Sequence, residues 1–222
     1  MPLNIAMDGP VGAGKSTIAD EVARRLGILH LDTGAMYRAV GLTALKRNVD
    51  LQDEEAVTAL CRNLDMTVGY ENGGQRTLVD GEDVTAYLRT EQVSMAASCV
   101  GKYRGVRQAM VALQQKIAST TDMLVDGRDI GMVVLPNATL KIYLTASAEE
   151  RARRRWIQLQ EKGGSDTFEQ VLEDLKQRDW QDMNREVDPL RQADDAVLVD
   201  STNMQFEETV AHIVALVEEK KA

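Results

Sequence analysis

Residues 7–17, MDGPVGAGKST, contain a complete G-x-x-x-x-G-K-[ST] string from Gly9 to Ser16. It follows a short apolar run, LNIAM at 3–7, and precedes a stretch in which Ile18, Ala19, Val22, Ala23 and Leu26 recur at helical spacing until Gly27. A strand, a glycine-rich loop and a helix in that order restrict the chain to a narrow group of α/β architectures. The glycines let successive N–H groups turn inward and the helix adds its positive end, which together make a cradle for phosphate oxygens. Gly9, Pro10, Val11, Gly12, Ala13, Gly14, Lys15, Ser16 and Thr17 are therefore expected to hold a nucleoside triphosphate, with Lys15 reaching its β and γ phosphates. Ser16 is the candidate ligand for the accompanying Mg²⁺, and Thr17 is a second hydroxyl beside it.

Four more apolar runs, ILHLD (28–32), MLVD (123–126), LKIYLTA (140–146) and AVLVD (196–200), read as buried strands. Helix-patterned stretches separate them, and the last helix carries Phe206, Val210, Ile213, Val214 and Val217 on one face. This alternation predicts a three-layer α/β fold with a five-stranded parallel sheet. Two segments break the rhythm. Residues 65–85 hold two turn signals, ENGG and DG, between β-branched residues, and read as a small antiparallel insert outside the main sheet. Residues 149–164, EERARRRWIQLQEKGG, read as a charged helix with four arginines, ending at Gly163 and Gly164. A chain of 222 residues suffices for one substantial core with such appendages.

Net charge of −9 argues against nucleic acid and anionic membranes as partners, so basic residues gathered at a site would be local and specific. No apolar run reaches the roughly 18 residues of a membrane span. Cys61 and Cys99 lack metal or redox spacing and read as small buried hydrophobes; with a strand-like run after Met1, a reducing cytoplasmic setting is expected. The D-x-x-G and N-K-x-D elements of a GTPase are both absent. A small kinase is the leading class, and a non-catalytic nucleotide switch the more distant one.

A kinase also needs cationic clamps for its acceptor and moving parts that exclude water. Arg38 follows the second strand in LDTGAMYR, and Arg128 follows the third in DGRD, at the sheet edge where ligands bind. QRDWQDMNR (177–185) adds Arg178, Asp182 and Arg185 at spacings that share one helix face. A phosphate acceptor is already anionic and needs no general base, in keeping with His30 and His212 reading as structural. A hydroxyl acceptor, such as shikimate or a sugar acid, would instead require a base, for which Asp32 is the candidate.

DGPVGAGKST, LDTGAMYRA, VDGRDIG, ERARRR and QRDWQDMNR, in this order and at these separations, resemble the bacterial cytidylate kinases of the nucleoside monophosphate kinase family over nearly the whole chain. The resemblance implies a core (1–37, 90–150 and 165–222), a monophosphate-binding region (38–89) with its insert, and a helical lid (151–164). It implies that Arg38, Arg128 and Arg185 hold the acceptor phosphate, that Arg178 and Asp182 meet the ribose, and that Thr33, Ser98, Arg107 and Asp129 read the base. Lys15, Arg128, Arg154, Arg155 and Arg185 would act on the transferring phosphoryl group. The implied partners are ATP with Mg²⁺, CMP and dCMP, and the implied state is a monomer. Cytosine offers an amino donor beside two acceptors, which a carboxylate and an arginine side by side complement; uracil would meet both wrongly. Asp129 has a second reading as the internal partner of Arg128.

Overall fold

The computed structural model describes residues 2–161 and 163–221. In chain order the first half contains β1 (Asn4–Asp8), α1 (Lys15–Leu26), β2 (Leu29–Asp32), α2 (Thr33–Lys46), α3 (Glu54–Arg62), β3 (Met66–Glu71), β4 (Gly74–Val79) and β5 (Glu82–Asp83). The second half contains α4 (Glu91–Val100), α5 (Arg104–Ala118), β6 (Met123–Asp126), β7 (Leu140–Thr145), α6 (Ala148–Glu161), α7 (Phe168–Asn184), β8 (Val197–Asp200) and α8 (Phe206–Lys221). Five strands form a parallel sheet in the order β2-β6-β1-β7-β8. The expected strands and the three-layer arrangement are thus present.

Side-chain alternation along the strands supplies both layers of core. Ile5 and Met7 of β1 join Leu124 and Ile142 against Val22 of α1 and Ile213 of α8, whereas Ala6, Met123 and Val125 face Met36 of α2 and Met110 of α5. Each is under 4% exposed, so both sheet faces are covered, as parallel sheets require. No described helix is long and apolar enough to cross a membrane.

The insert is a three-stranded antiparallel sheet, β3-β4-β5, separate from the main one. Its two-residue turns, Asn72-Gly73 and Asp80-Gly81, have positive φ at both positions (52° and 79°, 51° and 81°). Those are the two sites of the turn signals, and the double positive φ is that of a type I′ hairpin. The insert is not an isolated flap: Met66, Val79 and Val84 are buried in the same cluster as Ala6 and Leu31 of the main sheet.

The helix read over 149–164 is α6, which ends at Glu161, before the glycine pair; Lys162 lies outside the described residues. Helix α7 begins with a Thr167/Gln170 capping box, and Val171 and Leu175 pack with Ala152 of α6 and Val11 of the phosphate loop. The pair therefore has its own small core, anchored on the loop. One expectation is corrected: Arg185 does not continue the face of Arg178 and Asp182. Helix α7 stops at Asn184, and Arg185 is extended (φ −64°, ψ 145°), so its side chain leaves the helical row.

Candidate active site

The loop between β1 and α1 has the backbone the motif requires. At Gly9, φ is 149° and a Cβ would lie 1.9 Å from the Leu144 carbonyl oxygen; at Gly14, φ is 82° where the chain enters α1. No other residue fits the first position without moving β7. Lys15 is buried and its Nζ donates to the carbonyls of Gly9 (2.7 Å) and Pro10 (2.8 Å). Burial, and then the charge of Arg128, pushes its ammonium down to about 7. Of the nine loop residues expected to bind nucleotide, Val11, Gly12, Gly14, Lys15, Ser16 and Thr17 line a cleft of about 1290 Å³. Gly9, Pro10 and Ala13 are buried behind it.

Ser16 Oγ donates to Asp126 Oδ2 at 2.9 Å. Asp126 ends β6 beside the loop and was not among the expected site residues, although an apolar strand closing in a carboxylate next to a phosphate loop is a signal for a metal-side acid. His30, read from the sequence as structural, bridges two carboxylates: Nε2 lies 2.8 Å from Asp126 Oδ1 and Nδ1 2.6 Å from Asp20 Oδ1. Burial pulls the imidazole down, yet the hydrogen bonds to Asp126 and Asp20 outweigh it and hold it up at about 10.

Across the cleft stand the arginines. Arg128 Nε donates to Asp182 Oδ2 (2.8 Å), and Arg38 donates to Asp32 Oδ2 (2.6 Å). Asp32 also caps α2 through Ala35 N, so both of its carboxylate oxygens are engaged. Arg107 is 2% exposed and ion-paired with Asp129, while Arg185 Nη2 lies 3.6 Å from Asp129 Oδ1. The internal partner of Asp129 is therefore Arg107 rather than Arg128. Burial pushes the Asp129 carboxyl up, with Arg107 and Arg185 opposing. Thr33 is buried and donates to the Asp126 carbonyl (2.8 Å); Ser98, on α4, donates to Ser94 O (3.1 Å) at the cleft wall. Arg178 and Asp182 line the same cleft from α7.

The arginines of α6 divide. Arg154 and Arg155 line the cleft, Arg154 bonding Glu150 and, through Nη2, the Ser201 carbonyl (2.7 Å). Arg151 is buried instead and locks the loop, donating to Val11 O (2.8 Å) and Asp179 Oδ2 (2.7 Å), while Val11 N donates to Asp179 Oδ1 (3.2 Å). The sequence reading also missed Tyr37, whose ring lies 5.9 Å from the Arg107 guanidinium, and Asp188, whose Oδ2 accepts from Arg107 Nε at 2.8 Å.

Asp8, at the end of β1, joins the two halves. Its oxygens accept from the backbone of Ile130 (2.7 Å) and Gly131 (2.8 Å), fixing the turn that follows Arg128 and Asp129. Burial pushes its carboxyl up to about 6; the two amides and Lys15 oppose, and Asp129 adds to the rise. A folded value above the ordinary 3.8 means the protonated form is favoured in the native state, so this contribution is full at low pH and lost as pH rises through about 6. The loss is about 3 kcal/mol. The urea stability of wild type relative to Asp8→Asn is expected to fall by most of that, about 2 kcal/mol, between about pH 4 and pH 7. Parallel curves would show that burial of Asp8 carries no such cost.

Comparison with known proteins adds three findings. The family model described as cytidylate kinase matches residues 5–219. Cytidylate kinases of Caldicellulosiruptor saccharolyticus and Enterococcus faecalis are 49% identical over 214 residues (96% of this chain, 95% of the relative) and 46% identical over 218 (98% and 96%). A shikimate kinase from Bacteroides thetaiotaomicron shares the fold at a TM-score of 0.50 and 13% identity, over 97% of this chain and 98% of its own.

Proposed function

The chain belongs to the cytidylate kinase family, and from that premise we propose that its cleft is a two-phosphate site, donor on the glycine loop and acceptor among the facing arginines. The activity is phosphorylation of cytidine monophosphate. We assign the donor as ATP and extend the acceptors to dCMP. The observation that carries the site assignment is the ion-paired Arg107 and Asp129, with Arg128 and Arg185 beside them, across one cleft from Lys15.

In this reading Arg38, Arg128 and Arg185 hold the acceptor phosphate, Arg178 and Asp182 the ribose, and Thr33, Ser98, Arg107 and Asp129 the base. The acceptor oxygen is anionic at neutral pH, so the residues act by positioning and charge neutralisation rather than proton abstraction. Lys15 exchanges its bonds to Gly9 and Pro10 for phosphate oxygens, and Arg38 turns from Asp32 to the incoming phosphate. The oxygens of Ser16 and Asp126, 2.9 Å apart at the end of the loop, are a donor set suited to Mg²⁺. Held there with the nucleotide, such an ion would supply neutralisation of phosphate charge. Arg154 and Arg155 meet the transferring group when the lid (151–164) and the monophosphate-binding region (38–89) close on the core and exclude water. Both cysteines are free, which fits a reducing, cytoplasmic setting.

A crystal structure with CMP and a non-hydrolysable ATP analogue is the test. It is expected to have the CMP phosphate within hydrogen-bond distance of at least two of Arg38, Arg128 and Arg185, and the cytosine amino group on Asp129. A CMP bound with its base against the glycine loop would overturn the assignment.

A further inference from the structure

Asp188 follows α7 and precedes Pro189, in a segment that no sequence signal linked to the cleft. It is one of four non-glycine residues with positive φ among the described residues. Asn72 and Asp80 form the hairpin turns and Asn48 follows α2; Asp188, at 48°, is the one whose side chain enters the cluster around the proposed base site. A left-handed backbone is unfavourable for side-chain-bearing residues and is tolerated best by Asn and Asp. Here it lets one residue act in two directions: its carboxylate accepts from Arg107 Nε (2.8 Å) and its carbonyl accepts from Arg185 Nε (2.7 Å).

A guanidinium presents its donors in a fixed fork, so holding Nε fixes the aim of both Nη groups. In Arg107, Asp188 takes Nε, Asp129 takes Nη2, the Gly101 carbonyl lies 3.4 Å from Nη1, and the Tyr37 ring covers one face. Without the Asp188 carboxylate, Nε is left buried and unpaired, and the fork turns to recover a partner. A fork free to turn can donate to uracil O4 as readily as to the acceptors of cytosine.

We propose that Asp188 is a positioning residue for base selection: its carboxylate sets the aim of Arg107, and its carbonyl holds Arg185 beside it, so a single left-handed turn aligns the base-reading and phosphate-holding arginines. This rests on the assignment of Arg107 to the cytosine edge.

The test uses three variants of the full chain. Asp188→Gly keeps the left-handed backbone and the carbonyl to Arg185 and deletes only the carboxylate. Asp188→Asn keeps the backbone and offers Nε one oxygen. Arg107→Met removes the fork itself. Asp188→Gly is expected to raise KM for CMP about tenfold and lower the CMP to UMP ratio of kcat/KM about tenfold, with KM for ATP and kcat at saturating CMP within about twofold of wild type. Asp188→Asn should recover most of both, and Arg107→Met should lose both more severely. If Asp188→Gly retains wild-type KM and selectivity while Arg107→Met loses them, the inference fails and the base assignment stands. If Arg107→Met keeps selectivity, both fail. Equal losses in the CMP and ATP parameters of Asp188→Gly would mark a general structural role and also overturn it.

Discussion

Lys15→Met is expected to lower kcat about a thousandfold while leaving KM for CMP within about threefold. The ammonium is the loop's one side-chain cation, and in the structure it is held inside the loop by the Gly9 and Pro10 carbonyls. Charge develops on the transferring phosphoryl oxygens, and a preorganised cation in a water-poor site stabilises that charge far more than it does the bound ground state. The proposed acceptor contacts belong to other elements than the loop, so CMP affinity is expected to depend little on Lys15. Methionine keeps the length of the side chain in a buried position, and thermal melting checks that the variant folds. A kcat within tenfold of wild type, measured by coupled ADP release, would remove Lys15 from the reaction.

Asp129→Ala is the second large effect, and it separates recognition from chemistry. Asp129 is paired with Arg107 and approached by Arg185 at 3.6 Å, with its side chain only 9% exposed. In the proposed assignment, replacing it removes the acceptor for the cytosine amino group and leaves the charge of Arg107 balanced by Asp188. Sites that hydrogen-bond a buried polar group discriminate strongly because the wrong ligand leaves that group unpaired. CMP kcat/KM is expected to fall about a hundredfold or more, UMP far less, and KM for ATP to change less than about threefold. Asp129→Asn keeps the volume and one oxygen, so it should lie between Ala and wild type in CMP turnover. An unchanged CMP to UMP ratio in Asp129→Ala would take Asp129 out of base reading.

What was legible in the sequence was local. The phosphate loop and the two hairpin turns were readable because short strings of Gly, Asn and Asp dictate φ directly, and the structure has positive φ at Gly12, Gly14, Asn72, Gly73, Asp80 and Gly81. The five strands were readable as apolar runs, although β8, expected to be buried, lies at the sheet edge with Val199 buried and Leu198 53% exposed; their order was not readable, since β1 lies between β6 and β7, more than a hundred residues later. Arg185 was misread because periodicity extends past a helix end that only the chain's turn at 185–188 imposes. The contacts of Asp188 with Arg107 and of His30 with Asp126 span 81 and 96 residues, beyond any local pattern. Arg151 illustrates the same limit: Arg154 and Arg155 of ERARRR line the cleft, whereas Arg151 is buried against Asp179 and the loop, and only tertiary packing separates them.

Donor and acceptor phosphates are proposed to meet in one cleft whose far wall reads cytosine. The most direct measurement is a coupled ADP-release assay with ATP and Mg²⁺ against CMP, dCMP, UMP, AMP and shikimate. Rapid turnover with CMP and turnover with dCMP are expected, with kcat/KM lower by about a hundredfold or more for UMP and AMP and no reaction with shikimate. Comparable rates on CMP, UMP and AMP would contradict that proposal, because Asp129 and Arg107 would then have no part in choosing the acceptor.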